Sequence, residues 1–502
     1  MTKSNNAKRG IPSKSDFNLW YPSIVQIADL VDKRYPIKGM DVWKPYGLSA
    51  MGLIDSIARS EMDRTGHQEY RFPLLVPEDL LEKENNLVSI LKAAREAGVD
   101  PSQLRIEDED SGFKKEVYWV KHGGENELEV PMFLRPTSET PMYTMFSLWI
   151  RSHADLPLKT YQIVNTFRYE TKQTRSFIRV REIHFFEAHT AHADQSGADR
   201  QIEEDAAMVR RILHELCLPS IVSKRPVWDT FPGAWYTKAA DVIMPNGRTL
   251  QVATYHHYKD QWAEAFDLSY EDSDGITRMC HQTTFGMSER LLGAVVGMHG
   301  DDNGLIFPPS IAPHQVVLMP IAAHSDQRVT TVVSDLSDSL TSSGLRVKTD
   351  DRDVRPGVKH YDWEIKGVPL RIEIGPRDLK SDQCVVSLRT GGKIEVPLDS
   401  AVERVHDLLD SVSDELRSRA NSVISEIVQK IPTDVTNLSD IEIEDGVVYE
   451  IPFEGSDSDA EVLEKATGLT LLGECDEEYS ESRICIVTGK STIKRQHIAR
   501  MY

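Results

Sequence analysis

A proline-dense break, Phe307-Pro308-Pro309-Ser310-Ile311-Ala312-Pro313, constrains the fold of this chain more than any other feature. Each proline fixes its own φ and removes a backbone donor, so neither a helix nor an inner strand can run through the segment. A chain of 502 residues has room for about three domains at the usual ~150 residues each. The break sets the first limit, giving expected units of 1–310, 311–410 and 411–502.

Before the break, apolar β-rich runs alternate with helical stretches. The runs are FPLLVP, LKTYQIVNTF, the segment around Ile183, and LQVATYHHY; residues 196–217 read as a helix. Near the start, Trp20, Ile24, Ile27, Ala28 and Val31 recur at helical spacing and predict an amphipathic helix. This mixture suits a large sheet carrying one functional face. After the break come strand VVLMPI, helix 326–343, strand LRVKTD, helix 357–366, strands LRIEIG and QCVVSL, and helix 400–430. That order predicts a small α/β domain with a largely parallel sheet. From Pro432 onward the chain is rich in Asp, Glu and Ser, with EGSDSDAE as an exposed acidic loop, as is DSDGI earlier in the chain.

The formal net charge of −21 argues against nonspecific coating of DNA, because the overall field repels a polyanion. It leaves an RNA enzyme open, since unpaired bases are read by stacking and base-edge hydrogen bonds as well as by charge. Hydrophobic residues at 40% and charged residues at 27% are ordinary values. No apolar run reaches bilayer length, and the polar, basic N-terminus lacks a secretory pattern, so a cytoplasmic protein is expected. Cys217, Cys280, Cys384, Cys475 and Cys485 form no CxxC pair and imply no disulfides.

Two segments carry chemistry. In Thr166-Phe167-Arg168-Tyr169-Glu170, an arginine fork matches charge spreading over phosphate oxygens. Glu170, two residues further along the same expected strand, would share its face and accept from an adenine amino group. A polar loop and a returning run, Phe177-Ile178-Arg179-Val180-Arg181-Glu182, follow. Later, Phe285-Gly286-Met287-Ser288-Glu289-Arg290 reads as a glycine turn feeding a helix, whose start would bind phosphates with Arg290 as a charged clamp. Taken singly, a surface ion pair and an ordinary glycine turn are the commoner explanations of these segments. Together they resemble motifs 2 and 3 of class II aminoacyl-tRNA synthetases.

Four further runs narrow the resemblance to prolyl-tRNA synthetases of the archaeal and eukaryotic type. They are Arg135-Pro136-Thr137-Ser138-Glu139-Thr140, Glu187-Ala188-His189-Thr190-Ala191-His192, His299-Gly300-Asp301-Asp302-Asn303-Gly304-Leu305, and Lys366-Gly367-Val368-Pro369-Leu370-Arg371-Ile372-Glu373-Ile374-Gly375-Pro376-Arg377-Asp378. The resemblance implies an α+β catalytic domain with an antiparallel sheet and helices, then an α/β anticodon-binding domain, then a small α+β C-terminal domain. It implies proline contacts at Thr137, Glu139, Arg168, Glu187, His189 and His256. ATP contacts fall at Arg168, Glu170, Gln251, Thr254, Ser288 and Arg290, with Arg168 and Arg290 catalytic. Anticodon guanines would meet Glu364, Arg371 and Asp378, a carboxylate accepting from N1 and N2 and an arginine reaching O6 and N7. ATP with Mg²⁺, proline and tRNA(Pro) are the implied ligands. Pro73, at the motif 1 position, implies a homodimer.

The chain departs from the family in three ways. Phe185 stands where a tryptophan walls the proline ring, Phe285 where another tryptophan is usual, and Tyr258-Lys259-Asp260-Gln261-Trp262 replaces Leu-Gly-Gln-Asn-Phe. All three departures are expected around the amino-acid pocket. Archaeal-type relatives often carry a four-cysteine zinc site, but here Glu454 and Asp459 occupy the first pair and Cys485 alone survives from the second, so no zinc is expected. Roughly 115 residues between Glu170 and Gly286 leave no space for an inserted editing domain. Two alternatives remain: a paralogue that activates another amino or imino acid, and a non-catalytic tRNA-binding or regulatory protein.

Overall fold

The computed structural model describes residues 10–97, 116–170 and 172–502; residues 1–9 of the polar N-terminus lie outside them. Among the described residues, one sheet of eleven strands organises the molecule. Its centre is four strands, Tyr236–Ile243, Arg248–Lys259, His281–Ser288 and Glu182–His192, followed by Leu158–Phe167, each antiparallel to the next. One face carries the helices Pro45–Arg64, Gln195–Glu215 and Arg290–His299, whose apolar sides join the main core. The opposite face carries the cavity described below.

The first helix, Phe17–Ile27, begins where Asp16 accepts from the Leu19 amide, an N-cap that satisfies one of the free donors of the first turn. Trp20 and Ile24 are fully buried as the spacing requires, but Ile27 is 37% exposed, and the helix ends before Ala28 and Val31. FPLLVP yields only a short strand, Leu75–Pro77, because Pro73 lacks the donor to pair; Arg135 Nη1 instead donates to the carbonyls of Phe72 (2.7 Å) and Pro73 (3.2 Å).

In the second unit the strand order is Val347–Thr349, Val316–Pro320, Leu370–Ile374, Gln383–Leu388, Lys393–Pro397. The first three strands are parallel and the last two antiparallel, so the sheet is mixed rather than largely parallel. Helices Gln327–Ser342 and Pro356–Ile365 fall where expected. The expected limit at 410/411 lies inside one continuous helix, Ala401–Ile427, whose buried face packs on this sheet and whose end reaches the next strand.

Apart from one two-stranded ribbon, Arg483–Ile484 with Ser491–Thr492, the C-terminal region does not build a sheet of its own among the described residues. Its strands Val428–Lys430, Val448–Pro452, Arg495–Met501 and Thr470–Cys475 extend the main sheet, joined through Glu474 opposite Lys224 and Cys475 opposite Ser223. Alternation alone does not say which edge a strand will find.

The run His299 to Leu305 forms the seam between the first two units. Trp20 Nε1 donates to Asp301 O, Asp301 pairs with Arg389 (2.6 Å), and Leu305 N donates to Ile365 O (2.9 Å). Gly304 sits at φ +143°, where a Cβ would lie 2.5 Å from Ile365 Cα, so only glycine lets the two backbones touch there.

Candidate active site

A cavity of about 900 Å³ opens on the sheet face opposite the helices. Thr137, Glu139, Arg168, Glu170, Gln251, Thr254, His256, Ser288 and Arg290 all line it, so segments more than 100 residues apart meet there as expected. Glu187 and His189 do not reach the wall: both are fully buried beneath it.

At one end, three guanidinium groups converge. The strand Leu158–Phe167 stops before Arg168, so Arg168 and Glu170 lie in the loop beyond it rather than on one strand face. Arg168 Nε donates to Pro136 O (3.4 Å). Burial holds its guanidinium below the usual value, and the carboxylates of Glu116, Glu139, Glu187 and Glu170 oppose that shift. Arg290 donates to the carbonyls of Ile178 (2.9 Å) and Gln251 (3.1 Å), which aim it across the sheet. Burial, then repulsion from Arg179 and Arg168, brings Arg290 down to about 10. Guanidinium groups gathered in this way suit an anionic ligand.

Arg179, named in the returning run but given no role there, completes this end. Its Nη1 donates to Glu170 (2.7 Å) and its Nη2 to the main-chain oxygen of Tyr502 (2.8 Å), so the C-terminal strand braces the arginine end. Glu170 also accepts from the Lys172 amide (2.7 Å), and these donors hold its carboxyl below the usual range against the pull of burial. The signal for Arg179 was its place opposite Glu170 across a short return.

Gly286 is not a turn. It lies within the strand His281–Ser288, paired with Thr254 and Glu187, and the helix starts only at Arg290. A Cβ at Gly286 would sit 3.1 Å from the Phe185 ring, so the glycine makes room for an aromatic wall. Ser288 Oγ accepts from the Arg290 amide (3.3 Å) at the junction.

The other end is built on carboxylates. Glu139 opens the helix Glu139–Trp149 and accepts from Thr137 Oγ1 (2.5 Å) and Tyr258 Oη (3.1 Å). Beneath it, Glu187 accepts from Ser138 Oγ (2.5 Å), Ser138 N (3.1 Å), Gln162 Nε2 (2.8 Å) and His189 Nε2 (3.2 Å). Burial opposes the charge on Glu187, but the hydrogen bonds from His189, Ser138 and Gln162 outweigh it and hold the carboxyl below its usual range. His189 Nδ1 lies 3.2 Å from Thr284 Oγ1, which faces the cavity, so the buried pair acts on the wall through its neighbours. His256 is bonded to Thr237 (2.9 Å) with its ring 4.5 Å from Phe231; burial, His189 and Arg168 push it down to about 3, so it is neutral at physiological pH.

The departures from the family separate here. Phe185 lines the cavity and Tyr258 touches Glu139, but Phe285 points into the core, stacked on Tyr255 at 5.6 Å. Trp262 is likewise core, packed under Gly233. Glu116, Glu289 and Trp228 line the wall and were not singled out by the sequence. Glu289 is buried with one oxygen unpartnered, and burial raises it to about 7.

Elsewhere, Arg371 donates to His360 O (2.7 Å) near the end of the helix that carries Glu364, and Asp378 accepts from Gly375 N (2.7 Å) as a helix cap. Cys485 Sγ accepts from the Glu454 amide (3.4 Å), Glu454 accepts from Thr492 Oγ1 (2.6 Å), and Asp459 caps the helix Asp457–Thr467. No group of three or more metal-ligating side chains occurs among the described residues, nor does any described helix have the length and apolarity to cross a membrane.

Comparison with known proteins agrees with this geometry. The family model for the tRNA synthetase class II core domain (G, H, P, S and T) matches residues 118–299, and that for the anticodon binding domain matches 315–408. The chain is 45% identical over 494 residues to a proline--tRNA ligase of Thermococcus kodakarensis, covering 97% of this chain and 98% of that one. It is 45% identical over 480 residues to the corresponding ligase of Thermoplasma volcanium, covering 95% and 97%. Among solved structures, Giardia lamblia prolyl-tRNA synthetase in complex with prolyl-adenylate superposes with a TM-score of 0.89 at 34% identity, covering 98% of this chain and 99% of that one. With these matches spanning nearly the whole chain, and with the three arginines and the buried carboxylates meeting in one cavity, the chain belongs to the prolyl-tRNA synthetase family of class II.

Proposed function

We propose that the chain activates proline with ATP and transfers it to tRNA(Pro). The observation that carries this reading is the convergence of Arg168, Arg179 and Arg290 on a cavity whose other end presents Glu139 beside a neutral His256. The proline carboxylate attacks the α-phosphorus of ATP and pyrophosphate leaves. The terminal adenosine hydroxyl of the tRNA then attacks the acyl carbon and AMP leaves. Arg168 and Arg290 offset charge that grows on the phosphate oxygens, while Glu139 receives the secondary ammonium. Catalysis is positioning and electrostatics, with no side-chain nucleophile.

In this reading Thr137 and Tyr258 orient Glu139, and Glu187 with His189 fixes the floor beneath it. Gln251, Thr254, Ser288 and Glu170 hold the nucleotide. Mg²⁺ enters with ATP, and the unpartnered oxygen of Glu289 is the hard donor type it takes. Glu364, Arg371 and Asp378 read the anticodon guanines. The segment from Pro73, with Leu74 and Leu75 each about 40% exposed, supports a homodimer. The division 1–310, 311–410 and 411–502 is better placed with its last limit after the helix that ends at Ile427. Glu454 and Asp459, occupied by local hydrogen bonds, support a chain that works without zinc; stoichiometric zinc in the purified protein would overturn that.

A screen of all amino acids in ATP–pyrophosphate exchange tests the assignment. Proline is expected to dominate. Preference for alanine or a non-protein imino acid would replace proline as the substrate, and tRNA binding without any exchange would remove the catalytic reading.

A further inference from the structure

We propose that Trp228 is a stacking platform for the unpaired 3′-terminal adenosine of the tRNA, a positioning residue for the transfer half of the reaction. This rests on the cavity being the adenylation site.

Trp228 lies on the short turn Val227–Asp229, lines the cavity, and is 44% exposed. The other aromatic groups of the wall are engaged. Phe231 packs at a tilt against His256 (4.5 Å), Tyr169 packs edge-on to Tyr118 (5.5 Å) and lies under Arg181 (4.8 Å), and Phe185 rests against Gly286. Among the described residues, Trp228 has neither a ring partner nor a cation over its face.

The turn that presents it is held from beneath. Arg225 is buried, forks onto Asp241 (2.7 and 2.8 Å), reaches Asp229 (3.4 Å) and donates to Leu472 O (2.7 Å). Thr230 Oγ1 donates to Pro226 O (3.1 Å), and the Phe231 amide donates to Thr237 Oγ1 (2.9 Å). A pre-positioned indole with an open face is the arrangement that captures an unpaired base at small ordering cost.

Its location selects the ligand. Trp228 precedes Phe231 by three residues, and Phe231 lies against His256 (4.5 Å) and Tyr258 (6.2 Å), the tyrosine that donates to Glu139, which puts this stretch of wall at the carboxylate end of the cavity. The new ester bond forms at the amino-acid carbonyl, so the incoming adenosine must approach from that rim. Single-stranded RNA ends are recognised by aromatic stacking.

Trp228→Ala and Trp228→Phe, assayed in tRNA-free pyrophosphate exchange and in charging of a tRNA(Pro) transcript, separate the possibilities. In W228A, exchange should stay at the parent level while KM for tRNA rises or the transfer rate falls by about ten-fold. W228F, which keeps a π face, should recover most of the loss. Transcript lacking its terminal adenosine should bind parent and W228A equally. W228L replaces W228A if the alanine variant does not fold, with the same expectation. Unchanged charging, a parallel fall in exchange, or W228F as poor as W228A would each overturn the proposal. Exchange absent from the parent enzyme would instead fault the adenylation reading itself.

Discussion

The two ends of the cavity solve opposite electrostatic problems by different means. At the arginine end, three guanidinium groups sit close enough to repel, and main-chain oxygens of Pro136, Ile178, Gln251 and Tyr502, with the Glu170 carboxylate, hold them in place. At the carboxylate end the charged groups accept, and the donors are mostly side chains, those of Thr137, Tyr258, Ser138, Gln162 and His189, with the Ser138 amide. A planar guanidinium with five donors finds acceptors anywhere along a backbone. A buried carboxylate needs donors at a few defined points and becomes costly when one is lost. The arginine end therefore depends on its front layer, and the carboxylate end depends equally on residues buried beneath the cavity wall.

Removing a front-layer charge should have the largest effect. Arg168→Ala is expected to lower proline-dependent pyrophosphate exchange by about 100- to 1,000-fold with little change in thermal stability; exchange within a few-fold of the parent would sink its role. The buried layer should come next. Glu187→Gln keeps the shape but removes the charge that four donors address, and misplaced geometry of this kind costs about 10- to 100-fold in kcat/KM for proline. Unlike the arginine variant, it should also lower the melting temperature. If both variants lost activity alike and neither lost stability, the distinction between the two ends would fail.

The smallest effect per residue is a pH dependence of stability. Burial is the leading cause that holds His67, His192, His256, His257, His299 and His497 neutral, with values down to about 3 or about 4. Unfolding returns each to about 6.5, so below that pH the unfolded chain binds more protons than the folded one. Stability is thus complete above about 6.5 and is lost as pH falls towards 4, by about 2 kcal/mol per histidine at pH 5. His256→Gln should reduce the proton uptake measured on unfolding by about one at pH 5. A melting temperature unchanged between pH 7 and pH 5 would count against neutral buried histidines.

Much of the site was legible because its front layer is charged and locally patterned. Arg168, Arg290 and Glu139 all face the cavity that the sequence assigned them. The second layer was harder. Glu187 and His189 lie in the right strand, but whether a residue in a strand faces the wall or the floor depends on strand register and the curvature of the sheet. Phe185 and Phe285 make the same point from the aromatic side: one walls the cavity and the other stacks in the core, although both stand at tryptophan positions. Gly286 looked like a turn because glycine is common there, whereas its value is the space it leaves for Phe185.

By itself the sequence determined the longer helices and several strands, the break after residue 306, and the charged residues that line the cavity, because periodicity, proline geometry and charge are properties of short segments. Only the tertiary structure decided that the C-terminal strands extend the main sheet, that Arg179 links Glu170 to Tyr502, and that Trp228 lines the cavity with no ring or cation partner among the described residues. Those outcomes depend on which distant edges meet, and edge pairing is chosen by the whole packed core rather than by any local stretch.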